Sequence, residues 1–310
     1  MLLAYAVMSV LVILLSLRLS NCVDALDRQT NLSGAFLGGV MLAAVTSLPE
    51  LFTSLSAVAF LAEPQMVVGN ILGSNLFNMA ALSAVSLLMF KKALPAPLSA
   101  RHRLPLLLVI AIYALLALVA AEVMHVYLWG LNLVSWLILL FYVMGISALS
   151  AEDSQAEDAP AAAASALLGE FSALAVMLVI VSVMLTLITE GLKQRFGLGA
   201  SLAGAVFLGV ATSLPELVST FQLLRLGNFN AACGNILGSN MFNFAILTAA
   251  DLLYTSGTIY IFEPQSLLLL ALGALAAAAM LPVICCRGRA RLPGLLVAGL
   301  SYAAFLWLTV

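Results

Sequence analysis

The chain has 310 residues, of which 64% are apolar and only 8% charged, and its formal net charge is −2. Charges this sparse cannot cover a soluble surface, so a lipid bilayer has to serve as the solvent. No basic face is available for nucleic acid, no protein partner is indicated, and no H-E-x-x-H, G-x-S-x-G or P-loop string points to an enzyme.

A membrane-spanning helix needs roughly 20 mostly apolar residues, and the sequence predicts ten of them, giving an all-α polytopic membrane protein. They fall near 1–18, 33–62, 66–90, 104–121, 125–149, 167–190, 199–225, 229–255, 264–285 and 292–309. The opening run has no basic stretch ahead of it and no small-residue cleavage site before Arg18, so it reads as a retained span. The second, third, seventh and eighth stretches are interrupted by Gly or Pro. An acidic, alanine-rich segment, 151–165, divides the chain into 1–150 and 166–310, two halves of five helices each. It reads as a solvated linker, with a regulatory cation site on Glu152, Asp153, Glu157 and Asp158 as the sharper alternative.

With these spans, Arg18, Arg28, Lys91, Lys92, Arg101, Arg103, Arg225, Arg287, Arg289 and Arg291 collect on one side, and only Lys193 and Arg195 on the other. The first side is therefore expected to be cytoplasmic, which leaves both termini outside. The compact loops suggest a prokaryotic inner membrane. Cys22, Cys233, Cys285 and Cys286 have no metal or disulfide spacing and read as apolar filling, with acylation of the juxtamembrane Cys285–Cys286 pair as the alternative.

Two passages recur. GGVMLAAVTSLPEL from Gly38 matches GAVFLGVATSLPEL from Gly204 at nine of fourteen positions, and GNILGSNLFNMAAL from Gly69 matches GNILGSNMFNFAIL from Gly234 at eleven of fourteen. The offsets are 166 and 165 residues, the mark of a duplication with motif regions 38–82 and 204–247. Five predicted spans separate the copies, an odd number, so the copies should be inverted, a plan common among secondary transporters with a midplane site.

Glu50 and Glu216, in the two T-S-L-P-E strings, are the acids expected near the membrane centre; the other twelve fall in connections or near span ends. An ionised carboxylate in hydrocarbon costs several kcal/mol unless it is paired, neutralised or hydrated. No span-centred Lys or Arg is available, so the missing positive charge is a proton or a bound metal cation. Pro49 and Pro215 remove a helical donor and weaken the bonding of the carbonyls around Ala44–Thr46 and Val210–Thr212, which become candidate ligands. Thr46, Ser47, Thr212 and Ser213 add hydroxyls. Ser74 and Asn78, like Ser239 and Asn243, are four apart and share a helical face. Asn75 and Asn240 point elsewhere and are suited to satisfying backbone groups; Asn70 and Asn235 could do either. The glycines of these strings permit close helix approach or local unwinding. Carboxylate, amide, hydroxyl and carbonyl oxygens suit hard cations such as Na⁺, Ca²⁺ or Mg²⁺.

These strings resemble the alpha repeats of the sodium/calcium exchangers of the cation/calcium antiporter superfamily, and ten spans with outward termini and a cytoplasmic link fit the same family. The resemblance implies exchange of Na⁺ for Ca²⁺ without a cofactor, through a central diamond that corresponds here to Glu50, Glu216, Asn78 and Asn243. It also implies sodium sites on Thr46, Ser47, Ser74, Thr212, Ser213 and Ser239, with carbonyls that include those of Ala43 and Gly209. Members of the family often carry aspartate where this chain has Asn243, so two carboxylates rather than three are expected in the cage, enough to balance one Ca²⁺ or two Na⁺.

Alternating-access Na⁺/Ca²⁺ exchange is thus the leading functional expectation. Cation/H⁺ antiport is the neighbouring one, with Glu50 and Glu216 trading a proton for a cation. A passive cation channel lined by the same oxygens is a third.

Overall fold

The computed structural model describes residues 1–29, 37–61, 64–124, 126–150, 161–196 and 212–309. Neither Gly nor Pro occurs before Gly34, so nothing in the sequence stops the first helix at Arg18. Helix α1 accordingly runs Leu2–Gln29, well past the expected end. Asp24, expected in a connection, lies inside it and is largely buried.

The next span is bent. A π-helical turn, Leu37–Leu42, leads into α2 (Ala43–Thr46), and after a break at Ser47 the chain continues as α3 (Leu48–Ser56) and a second π-helical turn, Ala57–Leu61. The two arms meet at 43°, and Pro at the start of α3 accounts for the break. Helix α4 follows as Pro64–Leu88, then the short α5 (Phe90–Ala93) and α6 (Arg103–Ala120). A two-stranded hairpin, Tyr127–Leu128 (β1) with Leu131–Asn132 (β2), precedes α7 (Leu133–Ser150). In the second half α8 spans Ala161–Phe196, α9 Leu214–Leu226, α10 Phe229–Leu253, α11 Pro264–Cys285 and α12 Leu292–Thr309.

Among the described residues six helices are long and apolar enough to cross a membrane, or seven if the bent pair counts as one span. Helices α7 and α8 contribute shorter apolar stretches, and the expected seventh span is described only from Thr212 onward. The fifth span starts later than expected because Trp129 and Gly130, with φ of 51° and 83°, make a tight hairpin turn of the two-residue kind. The third and eighth spans, expected to be interrupted, are unbroken helices of 25 residues each. Gly238 serves close approach instead of unwinding. A Cβ on Gly238 would collide with the backbone carbonyl of Gly39 and come within 2.9 Å of Ala43 Cβ.

Helices α4 and α10, which carry the G-N-I-L-G-S-N strings, form the centre of the molecule. Their most apolar windows are 78% and 72% buried, against 22% for α1 and 28% for the C-terminal span. Helix α9 stops at Gly227, whose φ of 85° is the left-handed conformation of a helix C-terminus, and α10 starts one residue later with Asn228 accepting from Ala231 N.

The basic connections meet at one end of the bundle. Lys92 Nζ donates to Arg225 O at 2.8 Å, and the buried Arg291 guanidinium donates to the carbonyls of Ala93, Leu94 and Ala96. Another cluster joins the hairpin to the C-terminal turn of α10. Asp251 Oδ2 there accepts from Asn132 N at 3.1 Å and Ser135 Oγ at 2.6 Å, and Ser135 Oγ also meets Tyr260 Oη at 2.6 Å.

Candidate functional site

The string Ser47-Leu48-Pro49-Glu50 has the marks of a helix start: a Ser cap, a Pro where no intrahelical donor is required, and an acid in the first turn. Helix α3 does start there, and α9 starts in the same way after Ser213. The two breaks are nearly identical, with φ and ψ of −92° and 5° at Ser47 and −92° and 7° at Ser213. Neither serine caps its own helix. Ser47 Oγ instead donates to Glu216 Oε1 at 2.9 Å, and Ser213 Oγ to Glu50 Oε1 at 3.0 Å. Each half therefore holds the other half's glutamate.

Glu50 and Glu216 have no exposed surface, and they lie close enough to repel each other when both are ionised. Their near neighbours are hydroxyls. Thr212 and Ser74 stand beside Glu50, and Thr46 stands beside Glu216. Ser239 Oγ reaches Glu216 Oε1 and the Ala43 carbonyl at 3.5 Å each, and Thr46 Oγ1 lies 3.3 Å from the same carbonyl. No basic side chain is bonded to either glutamate among the described residues. Each keeps one oxygen, Oε2, buried and without a hydrogen-bond partner.

One turn of helix after Ser74 and Ser239 come Asn78 and Asn243, both fully buried. Asn78 Nδ2 donates to Asn240 Oδ1 and Asn243 Nδ2 to Asn75 Oδ1, each at 3.0 Å. The Oδ1 atoms of Asn78 and Asn243 and the Ser74 hydroxyl are buried without partners. Asn75 and Asn240 bond to each other's backbone carbonyls, which agrees with their expected role. Asn70 and Asn235 turn their nitrogens to Ser54 Oγ at 3.2 Å and Thr220 Oγ1 at 3.3 Å, so their bonded partners are hydroxyls.

Eleven of the twelve expected site residues thus fall in the breaks at Ser47 and Ser213 or on the facing polar turns of α4 and α10. The twelfth, Gly209, lies with Val210 and Ala211 outside the described residues. The Ala43 carbonyl accepts from Ser47 N at 3.1 Å. The two hydroxyls that approach it make it a shared acceptor.

Sequence reasoning missed the Asp251 cluster, because an acid near a span end reads as a solvated one. Its signal was the run of polar groups in Asn132 and Ser135 at the start of the facing helix.

Buried polar oxygens without donors are uncommon, and each costs free energy in the absence of a positive partner. Two carboxylate and two amide oxygens of this kind, with hydroxyls around them, form a donor set suited to hard cations.

A family model described as sodium/calcium exchanger protein matches residues 1–151 and 166–310. The inner membrane protein YrbG of Escherichia coli is 27% identical over 270 residues, covering 84% of this chain and 82% of that protein. The sodium/calcium exchanger MaX1 of Methanosarcina acetivorans is 40% identical over 62 residues, 20% of this chain and 18% of that one. In fold, the chain is similar to the sodium–calcium exchanger NCX_Mj soaked with 10 mM Na⁺ and zero Ca²⁺, with a TM-score of 0.73 and 18% identity over 99% of both chains. The match to both of these stretches means that this integral membrane protein belongs to the sodium/calcium exchanger family, a family of antiporters and not of enzymes.

Proposed function

We propose that the chain exchanges Na⁺ for Ca²⁺ by alternating access, without a cofactor, at a site built on Glu50, Glu216, Asn78 and Asn243. The observation that carries the reading is the set of four buried, unpartnered oxygens on these residues, with no basic side chain bonded to the glutamates among the described residues. Thr46, Ser47, Ser74, Thr212, Ser213 and Ser239 supply hydroxyls for flanking Na⁺ positions, with the carbonyls of Ala43 and Gly209. Two carboxylates balance one Ca²⁺ or two Na⁺. Bringing several such ions to one cage in turn, and never together with Ca²⁺, couples the two fluxes.

The crossed Ser47–Glu216 and Ser213–Glu50 bonds support a reading of the chain as two inverted five-helix repeats, 1–150 and 166–310, joined by a cytoplasmic linker, 151–165. Ten spans in all, with both termini outside, follow from that plan. The convergence of Lys92, Arg225 and Arg291 supports a cytoplasmic assignment for that end. The name of the YrbG relative supports a prokaryotic inner membrane.

Vesicles reconstituted with the protein, loaded with Na⁺ and diluted into Na⁺-free buffer, should accumulate radiolabelled Ca²⁺. Uptake that needs a pH gradient and ignores internal Na⁺ would replace this reading with cation/H⁺ antiport, and single-channel current steps would replace it with a pore.

A further inference from the structure

Asn75 and Asn240 occupy equivalent places in the two repeats, and each amide nitrogen donates to the other's backbone carbonyl, at 3.3 Å and 3.2 Å. A backbone carbonyl can only accept, so neither amide can be turned over. The oxygen of each must then face the other way. There Asn75 Oδ1 meets Asn243 Nδ2 and Asn240 Oδ1 meets Asn78 Nδ2, both at 3.0 Å. These oxygens also only accept, so Asn78 and Asn243 must present their nitrogens to them and turn their own oxygens away. Those two oxygens are buried and without partners, as are the oxygens of Asn70 and Asn235.

An amide left to itself can expose NH₂ as readily as oxygen, and NH₂ facing a cation repels it. We infer that Asn75 and Asn240 are positioning residues that lock the cage amides oxygen-inward, Asn75 acting on Asn243 and Asn240 on Asn78. The action is crosswise, because each positioning asparagine and the amide it sets come from opposite repeats. The inference rests on the proposed cage of Glu50, Glu216, Asn78 and Asn243.

The test is equilibrium binding of radiolabelled Ca²⁺ to the purified full chain. Asn75→Leu keeps the side-chain shape and removes the acceptor that orients Asn243, and apparent affinity should fall about 10- to 100-fold, the usual cost of losing an outer partner of a metal ligand. Adding Asn243→Asp should then recover most of the loss, because a carboxylate offers oxygen in either orientation. The same rescue should link Asn240→Leu with Asn78→Asp. The mismatched doubles, Asn75→Leu with Asn78→Asp and Asn240→Leu with Asn243→Asp, should stay weak. A purely structural role for Asn75 would give no such pairing.

Wild-type affinity in Asn75→Leu, or equal rescue in all four doubles, overturns the inference and leaves the cage standing. Unchanged binding in both Glu50→Gln and Glu216→Gln overturns the cage and the inference with it. If Asn75→Leu is not recovered folded, Asn75→Ala carries the same pattern with a smaller side chain.

Discussion

Ser47 and Ser213 stand where a serine ordinarily caps a helix, and each gives up that bond, worth about 1 kcal/mol, to reach a carboxylate in the other half. A hydrogen bond to an ionised group is worth roughly 1.5–3 kcal/mol, so the exchange is favourable whenever the glutamates are charged. It also ties the charge state of each acid to the helix break of the opposite repeat. Glu50→Gln and Glu216→Gln should each abolish Na⁺-dependent Ca²⁺ uptake, while the melting temperature in ion-free buffer should hold or rise. An isosteric amide can still accept from the serine, and it removes a buried charge that no basic group balances. Transport at the wild-type rate would exclude the glutamates as carriers of charge. Both acids were legible in the sequence, because a carboxylate deep in an apolar run has few explanations. Their crossed partners were not, because S-x-P-E describes a local capping pattern and only the tertiary structure shows that the serine side chain leaves it.

At the level of elements, the chain buries the two long helices that carry the G-N-I-L-G-S-N strings and leaves α1 and the C-terminal span at the periphery. That arrangement suits a bilayer, in which lipid covers apolar surface at no cost and polar groups must find one another. Among the described glycines Gly238 has the closest neighbour, since a methyl there would strike the Gly39 carbonyl, whereas one on Gly69 meets nothing within 4 Å. Gly238→Ala should therefore destabilise by about 1–3 kcal/mol, the range for overpacking, and Gly69→Ala should be neutral or stabilising by up to about 1 kcal/mol through helix propensity. Thermal unfolding of the two variants in one detergent checks this, and equal shifts would deny the close contact. The sequence shows Gly69 opening one duplicated string and Gly238 fifth in the other, and which glycine faces backbone depends on how α10 crosses the π-helical turn. The length of α1 was legible in a simpler way, from the lack of any Gly or Pro before Gly34, but a single arginine suggested an end that helix propensity does not supply.

Across the whole molecule, the duplicated strings and their spacing made a two-part plan readable, since chance apolar composition does not repeat eleven of fourteen positions. The orientation of that plan is a matter of charge. Lys92 and Arg291 carry two of the basic connections onto neighbouring backbone carbonyls at one end, and among the described residues Arg291 donates only to carbonyl oxygens, with the ring centre of Phe229 5.6 Å from its guanidinium carbon. Positive charge fixed at one end of a bundle resists translocation and should hold that end in the cytoplasm. The hairpin, whose Trp129 packs edge-on against Trp136 of α7, should then lie at the outer interface, where amphipathic rings are favoured. In a background with Cys285 and Cys286 replaced by serine, a cysteine introduced at Ser154 should react with a membrane-impermeant maleimide only after cells are opened, and one introduced at Trp129 should react in intact cells. The reverse pattern would invert the molecule. Labelling of both positions in intact cells would place an even number of spans between hairpin and linker, and the five-helix repeat would have to be redrawn, because the inversion of the two glutamate strings depends on that count being odd.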